Sequence, residues 1–122
     1  METIYSEQQF NDVLYLPKAI IYLLVDWSGQ ERVSRSVILR VLNEIKGVQD
    51  VPIFKINCTD QQQKFVQAWL VSQSENMKQF YYGGYGETLL IKKGTVADFI
   101  ADPGKIGVAD AKEKIEKWLR QE

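Results

Sequence analysis

Continuous apolar runs alternate along this chain with stretches in which apolar residues recur every three or four positions. Residues 19–25 are almost entirely apolar, which is typical of a central strand buried on both faces. Four strands are predicted, at residues 19–25, 51–57, 87–92 and 96–101. Amphipathic helices are predicted at residues 6–15 and 31–46, after Asp60, and from Asp110 onward. The predicted order is α-β-α-β-α-β-β-α.

Capping residues mark several of the predicted boundaries. Ser6 is followed three positions later by Gln9, which matches a capping box, and Pro17 ends the first helix. Gly47 is expected to stop the second helix, and residues 102–104 are typical of a turn. The sequence contains no repeat, linker or low-complexity segment. It therefore predicts a single domain over residues 1–122.

Composition narrows the classes of function. The 122 residues are 45% hydrophobic and 25% charged, with a formal net charge of −1. This balance favours a soluble globular domain and argues against binding to nucleic acid or to an anionic membrane surface. No apolar run reaches the roughly 20 residues that span a bilayer, and the first residues do not resemble a signal peptide. We expect a cytoplasmic protein.

The content of cysteine and histidine excludes further classes. Cys58 is the only cysteine, and the chain has no histidine. An intramolecular disulfide, a Cys/His zinc site and any mechanism that needs an imidazole base are therefore excluded. No carboxylate spacing matches a calcium or magnesium site, so no metal and no cofactor is expected.

Three segments together resemble the thioredoxin family over roughly residues 5–121. Trp27 and Gly29 follow an apolar strand and open a helix, residues 55–57 look like the central strand ending in asparagine, and residues 88–94 look like the Leu-rich strand and turn of the hairpin. The resemblance implies a thioredoxin-like α/β fold. Its sheet would be mixed, with about four strands and helices on both faces.

The residues that carry the chemistry of that family are replaced. Ser28 and Glu31 stand where thioredoxins carry their two cysteines, Gly86 falls at the place of the cis-proline, and Tyr22 falls near the buried carboxylate. Serine is no redox thiol, and glutamate cannot resolve a mixed disulfide. The resemblance therefore implies a redox-inactive member without disulfide oxidoreductase activity, and we expect a protein that is not an enzyme.

The replaced motif has its own structural interpretation. Residues 28–31 match the Ser-x-x-Glu capping box. The Ser28 hydroxyl is expected to accept a hydrogen bond from the Glu31 amide, and the Glu31 carboxylate one from the Ser28 amide. A nucleophilic Ser28 is disfavoured because no neighbouring base is available to take its proton.

The best candidate for function is a peptide-binding groove beside this helix N-terminus. In the thioredoxin fold the loop before the hairpin lies next to that terminus, and here the loop is rich in tyrosine and glycine. Such residues offer contact area with little loss of entropy, and Glu31 and Glu87 would favour a basic or polar partner. The predicted binding residues are Trp27, Ser28, Gly29, Glu31, Tyr81, Tyr82, Tyr85, Gly86 and Glu87.

Several alternatives stay open at the level of sequence. The tyrosines could mainly pack the loop instead of forming a partner surface. The chain could be an immunity or chaperone-like protein dedicated to one partner, or the structural subunit of a homo-oligomer. An enzyme would have to use Cys58 as a lone reactive thiol, but a lone cysteine at a strand end is more often a small buried residue.

Overall fold

The sheet at the centre of the molecule has five strands and mixed direction. The computed structural model describes residues 1–45 and 51–121, without the side chains of Gln61 and Tyr82. The strands, in chain order, are β1 Glu2–Thr3, β2 Lys18–Leu24, β3 Ile53–Asn57, β4 Thr88–Lys92 and β5 Thr95–Ile100. In space they are ordered β1-β3-β2-β4-β5. β1, β3 and β2 run parallel, whereas β4 is antiparallel to β2 and β5 to β4.

The fold class predicted from the sequence is confirmed, with one strand more than expected. The additional strand is β1, in which Glu2 pairs with Phe54 and Thr3 with Lys55. Two residues are too short to show the alternation by which strands are recognised in a sequence. Only the neighbouring β3 makes this segment a strand.

Four α-helices and two 3₁₀ helices connect the strands. The α-helices are α1 Glu7–Leu14, α2 Gly29–Glu44, α3 Phe65–Gln73 and α4 Pro103–Leu119, and the 3₁₀ helices are Gln61–Gln63 and Glu75–Tyr82. Ser6 caps α1 as predicted, since its Oγ accepts from the Gln9 amide at 3.2 Å. The Gln9 side chain accepts from the Tyr5 amide and not from that of Ser6.

Helix α4 begins seven residues before its predicted start. Asp102 is its N-cap, with the side chain accepting from the Lys105 amide, and Pro103 follows at the first helical position. Residues 102–104 are therefore a helix start and not only a turn. Gly107, at φ 85° and ψ 174°, interrupts the helical geometry before the long part of α4 continues. The predicted stop of α2 at Lys46 and Gly47 lies outside the described residues.

Side chains of β2 alternate between two apolar layers, one on each face of the sheet. Ile21 and Leu23 pack with α1, α3 and the second 3₁₀ helix, whereas Ile20 and Tyr22 pack with α2 and α4. These four side chains are at most 1% exposed. This explains the continuous apolar run in the sequence, because a strand covered on both faces needs apolar residues at every position.

Among the described residues, none of the helices combines the length and apolar character needed to cross a membrane.

Candidate functional site

Ser28 joins the N-terminus of α2 to the loop that precedes β4. It is the N-cap of α2, and its Oγ accepts from the Glu31 amide at 3.2 Å, as the capping box predicts. The same hydroxyl donates to the carbonyl oxygen of Gly84. The Ser28 hydroxyl thus has two structural roles. It stabilises the start of α2, and it holds the loop against that helix start.

Glu31 does not complete the capping box. Its carboxylate accepts from the Tyr22 hydroxyl at 2.7 Å and from both Nε, at 2.9 Å, and Nη2 of Arg35. Glu31 is completely buried, so the prediction that it adds negative charge to the groove is wrong. Burial, together with the hydrogen bond to Glu31, raises the pKa of Tyr22 above its ordinary value. Tyr22 and Arg35 turn the carboxylate inward because they satisfy both of its oxygens at once.

Glycines bring the loop unusually close to α2 and β2. Gly84 and Gly86 take positive φ angles of 75° and 71°. A Cβ on Gly84 would lie 2.6 Å from the Trp27 ring, and a Cβ on Gly86 would lie 2.6 Å from the Tyr22 hydroxyl oxygen and from Ser34 Cβ. Both positions therefore require glycine, for the backbone angle and for the lack of space.

The predicted binding residues separate into an exposed group and a buried group. Trp27 is 63% exposed and Tyr85 is 50% exposed, and Gly29 also faces solvent. The remaining described members are buried and cannot form the outer surface of a groove: Ser28, Glu31, Tyr81, Gly86 and Glu87. The side chain of Tyr82 lies outside the described part of the chain.

Tyr81 is the clearest correction within this set. The second 3₁₀ helix directs Phe80 and Tyr81 into the apolar layer that contains Ile21 and Leu23. Tyr81 is therefore a core residue, and the hypothesis that tyrosines pack the loop holds at this position. Sequence reasoning had no signal for this, because a Gly/Tyr-rich run has no periodicity that separates inside from outside.

Glu87 is a buried residue that contributes to the lining of a cavity. It is 2% exposed, and its Oε1 accepts from the Tyr85 amide at 3.1 Å. Burial raises its pKa to about 7, and the negative charge of Asp102 contributes to the increase. The cavity has a volume of about 300 Å³ and is lined by Gln79, Phe80, Gly83, Tyr85, Glu87 and Ala101. Of these, only Tyr85 and Glu87 were predicted as site residues.

Cys58 lies directly after β3 and is 1% exposed. Its amide donates to the Leu24 carbonyl at 2.8 Å, which extends the pairing of β3 with β2 by one residue. Burial, and then the nearby negative charge of Glu87, raise the pKa of its thiol above the ordinary value. The prediction that this residue is a small buried side chain is confirmed. In the described residues, no cluster of three or more carboxylate or thiol side chains could hold a metal ion.

Comparisons with known proteins give a consistent result for the fold. No protein-family model matches the chain, and no curated protein matches it. Among solved structures, oxidised thioredoxin O2 from Arabidopsis thaliana is 20% identical and has a TM-score of 0.65, with 95% of this chain and 91% of that chain covered. Thioredoxin from Trypanosoma brucei brucei is 15% identical and has a TM-score of 0.66, with 98% and 90% covered. Oxidised thioredoxin from Plasmodium falciparum is 12% identical with a TM-score of 0.67, with 94% and 97% covered.

These similarities show that the chain has a thioredoxin-like fold. Identities of this size concern the fold alone, because one fold supports many different functions.

Proposed function

We propose that this protein is a redox-inactive thioredoxin-fold module that binds an extended segment of a partner protein. The binding surface consists of Trp27, Tyr85 and the mouth of the Glu87 cavity, and we call it the aromatic surface. The observation that carries the proposal is the exposure of two aromatic side chains, Trp27 directly before α2 and Tyr85 on the loop that Ser28 holds against the start of α2. Rigid aromatic side chains bury much apolar area at a small entropic cost, which is why they dominate binding surfaces.

Three features support the absence of thiol-disulfide chemistry. The helix N-terminus, where a dipole would activate a thiolate, carries the capping hydroxyl of Ser28. Glu31 stands at the place expected for the second cysteine, and its carboxylate is hydrogen-bonded to Tyr22 and Arg35. Cys58 is buried with a raised pKa, which disfavours the reactive thiolate. The same burial counts against an enzyme that uses Cys58.

The loop backbone favours recognition by side chains over addition of a strand. The carbonyls of Gly84, Gly86 and Glu87 accept from Ser28, Thr88 and Leu23, respectively, and the Tyr85 amide donates to the Glu87 side chain. These hydrogen bonds use the Tyr85 amide completely and part of the acceptor capacity of the three carbonyls, so the loop is a poor edge for an added strand. We therefore assign binding to the aromatic surface and not to the loop backbone.

The test is selection of peptides from a random displayed library, followed by affinity measurement with purified variants. We expect Trp27→Ala and Tyr85→Ala each to weaken a selected peptide at least about tenfold, in line with hot-spot residues. Tyr15→Ala is the matched control. Tyr15 is 88% exposed and follows α1, whose Leu14 lies beside Gly94 at the opposite end of β4. Equal binding by all four proteins, or failure to select any peptide, would overturn the proposal.

The redox part of the proposal has a separate test. In an insulin-reduction assay with dithiothreitol, the protein should give no rate above that of the buffer, because the family mechanism needs two thiols. A rate that depends on protein concentration and survives Cys58→Ala would exclude Cys58 as the source and contradict the assigned inactivity. A rate that Cys58→Ala abolishes would instead support the one-cysteine enzyme.

A further inference from the structure

Glu87 carries a buried carboxylate that forms no ion pair with the part of the chain that the structure describes. Three ion pairs occur in the described residues, Arg35–Glu31, Arg40–Glu44 and Lys114–Asp98, and none includes Glu87. The carboxylate nevertheless is almost completely buried, with the Tyr85 amide as a hydrogen-bond donor. A buried carboxylate without a cation is costly in free energy, so such groups are usually paired or serve a function.

The loop is built around this carboxylate. A Cβ on Gly83 would lie 1.6 Å from Glu87 Oε2, so the carboxylate occupies the space that any other residue at position 83 would fill. The Tyr85 amide fixes the other oxygen, Oε1. Both oxygens are thus positioned by the segment that also carries the exposed ring of Tyr85.

The cavity beside Glu87 is large enough to admit one long side chain. Its volume of about 300 Å³ is at the lower limit for pockets that hold a drug-sized ligand. Its walls are partly apolar, from Phe80, Tyr85 and Ala101, and partly polar, from Gln79. Apolar walls leading to a carboxylate match the hydrocarbon stem and cationic end of lysine or arginine.

We propose that this cavity receives a lysine or arginine side chain of the bound partner segment, with the Glu87 carboxylate as its counter-ion. This inference rests on the proposed function and deepens it, since it specifies the chemistry of the partner next to the aromatic surface. A divalent cation is a poorer occupant, because a single carboxylate provides too few ligands for Ca²⁺ or Mg²⁺.

The pairing gives binding a defined dependence on pH. A cation needs the ionised carboxylate, and the pKa of Glu87 is about 7, so affinity should rise about tenfold between pH 6 and pH 8. The titratable groups near Glu87 are Cys58 behind it, Tyr85 on its own loop and Asp102 at the start of α4. Glu87→Gln removes the titration of Glu87 alone. Comparing it with the wild-type protein therefore distinguishes the pH dependence due to Glu87 from any due to the other three groups.

The experiment is an NMR titration of ¹⁵N-labelled protein with n-butylguanidinium, and with n-butylurea as a neutral probe of similar shape. In the wild-type protein at pH 8 we expect saturable shifts of the Gly83 and Tyr85 amides with n-butylguanidinium only. These shifts should be absent in Glu87→Gln. At pH 6 the affinity of the wild-type protein for n-butylguanidinium should be about tenfold lower than at pH 8. Glu113→Gln removes an exposed carboxylate on α4 and is the matched control, which should bind as the wild-type protein does.

The outcomes separate this inference from the proposed function. Shifts that are equal in wild-type protein and Glu87→Gln, or equal with both probes, or no saturable shifts, would overturn the Glu87 assignment. Selected peptides provide the second measurement. One outcome is that selected peptides bind Trp27→Ala and Tyr85→Ala weakly and yet keep their affinity for the wild-type protein when each basic residue is replaced by norleucine. That result would overturn the inference and leave the proposed function standing.

Discussion

Single residues decide how closely the loop before β4 approaches the rest of the site. Gly86 combines a positive φ with contact to Tyr22 and Ser34. Gly29, also part of the resemblance motif, has no unusual φ, and a Cβ added there would meet no atom within 4 Å. The two glycines therefore have different roles. Gly86 is required by geometry, and Gly29 leaves the start of α2 open toward solvent.

The two glycines give a matched pair of substitutions. Gly86→Ala should lower the free energy of unfolding by about 2–4 kcal/mol, because the left-handed backbone and the contacts at 2.6 Å both oppose a Cβ. Gly29→Ala should leave stability unchanged or raise it by up to about 1 kcal/mol, since alanine favours the helix. Urea unfolding measures both. Similar values for the two variants would contradict the assigned role of Gly86.

At the scale of elements, β2 and α2 are linked through the carboxylate of Glu31. Tyr22 on β2 and Arg35 one turn further along α2 both donate to it. The hydrogen bond with Glu31 raises the pKa of Arg35 above its ordinary value, which keeps this partner charged. A residue that sequence reasoning assigned to a cap and to a binding surface thus connects the sheet to the helix that begins at the site.

Tyr22→Phe tests this connection. Removing the hydroxyl leaves the buried carboxylate with Arg35 alone, so we expect the free energy of unfolding to fall by about 1–3 kcal/mol. Tyr15→Phe removes an exposed hydroxyl and should change stability by less than about 0.5 kcal/mol. Chemical denaturation of both variants at one pH is sufficient. A loss of equal size in the two proteins would show that the Tyr22 hydroxyl contributes nothing specific.

At the scale of the whole molecule, the buried carboxyl group of Glu87 makes the free energy of unfolding depend on pH. Glu87 has a pKa of about 7 in the folded protein, above the ordinary value of 4.5, so the folded state binds its proton more tightly than the unfolded chain. Its contribution to stability is complete below about pH 4.5 and is lost as the pH rises through about 7. The candidate binding site is therefore maintained at a cost in stability at neutral and alkaline pH.

Glu87→Gln should remove this dependence. The amide oxygen can still accept from Tyr85, while the buried charge is absent, so the variant should gain on the order of 2 kcal/mol relative to wild type at pH 8 and little at pH 4.5. Urea unfolding at several pH values measures the difference. The exposed Glu113→Gln should follow the wild-type curve. Parallel curves for wild type and Glu87→Gln would contradict a raised pKa at Glu87.

Much of the fold was predictable because it depends on local patterns. The continuous apolar run of β2, the hairpin around Lys93-Gly94 and the cap at Ser28 all follow from neighbouring residues. The early start of α4 had a local signal as well, in Asp102-Pro103 as N-cap and first helical residue. Strand β1 had none, since its two residues become a strand only by pairing with β3.

The amino-acid order was enough to predict a thioredoxin-like succession of elements, and it directly gives one cysteine, no histidine, and a serine and a glutamate at the start of α2. Which candidates face solvent emerged only from the folded chain. Folding exposes Trp27 and Tyr85 and buries Tyr81, Glu31 and Glu87, because burial depends on contacts between segments far apart in the chain. Local patterns cannot determine those contacts, and the candidate site is made of them.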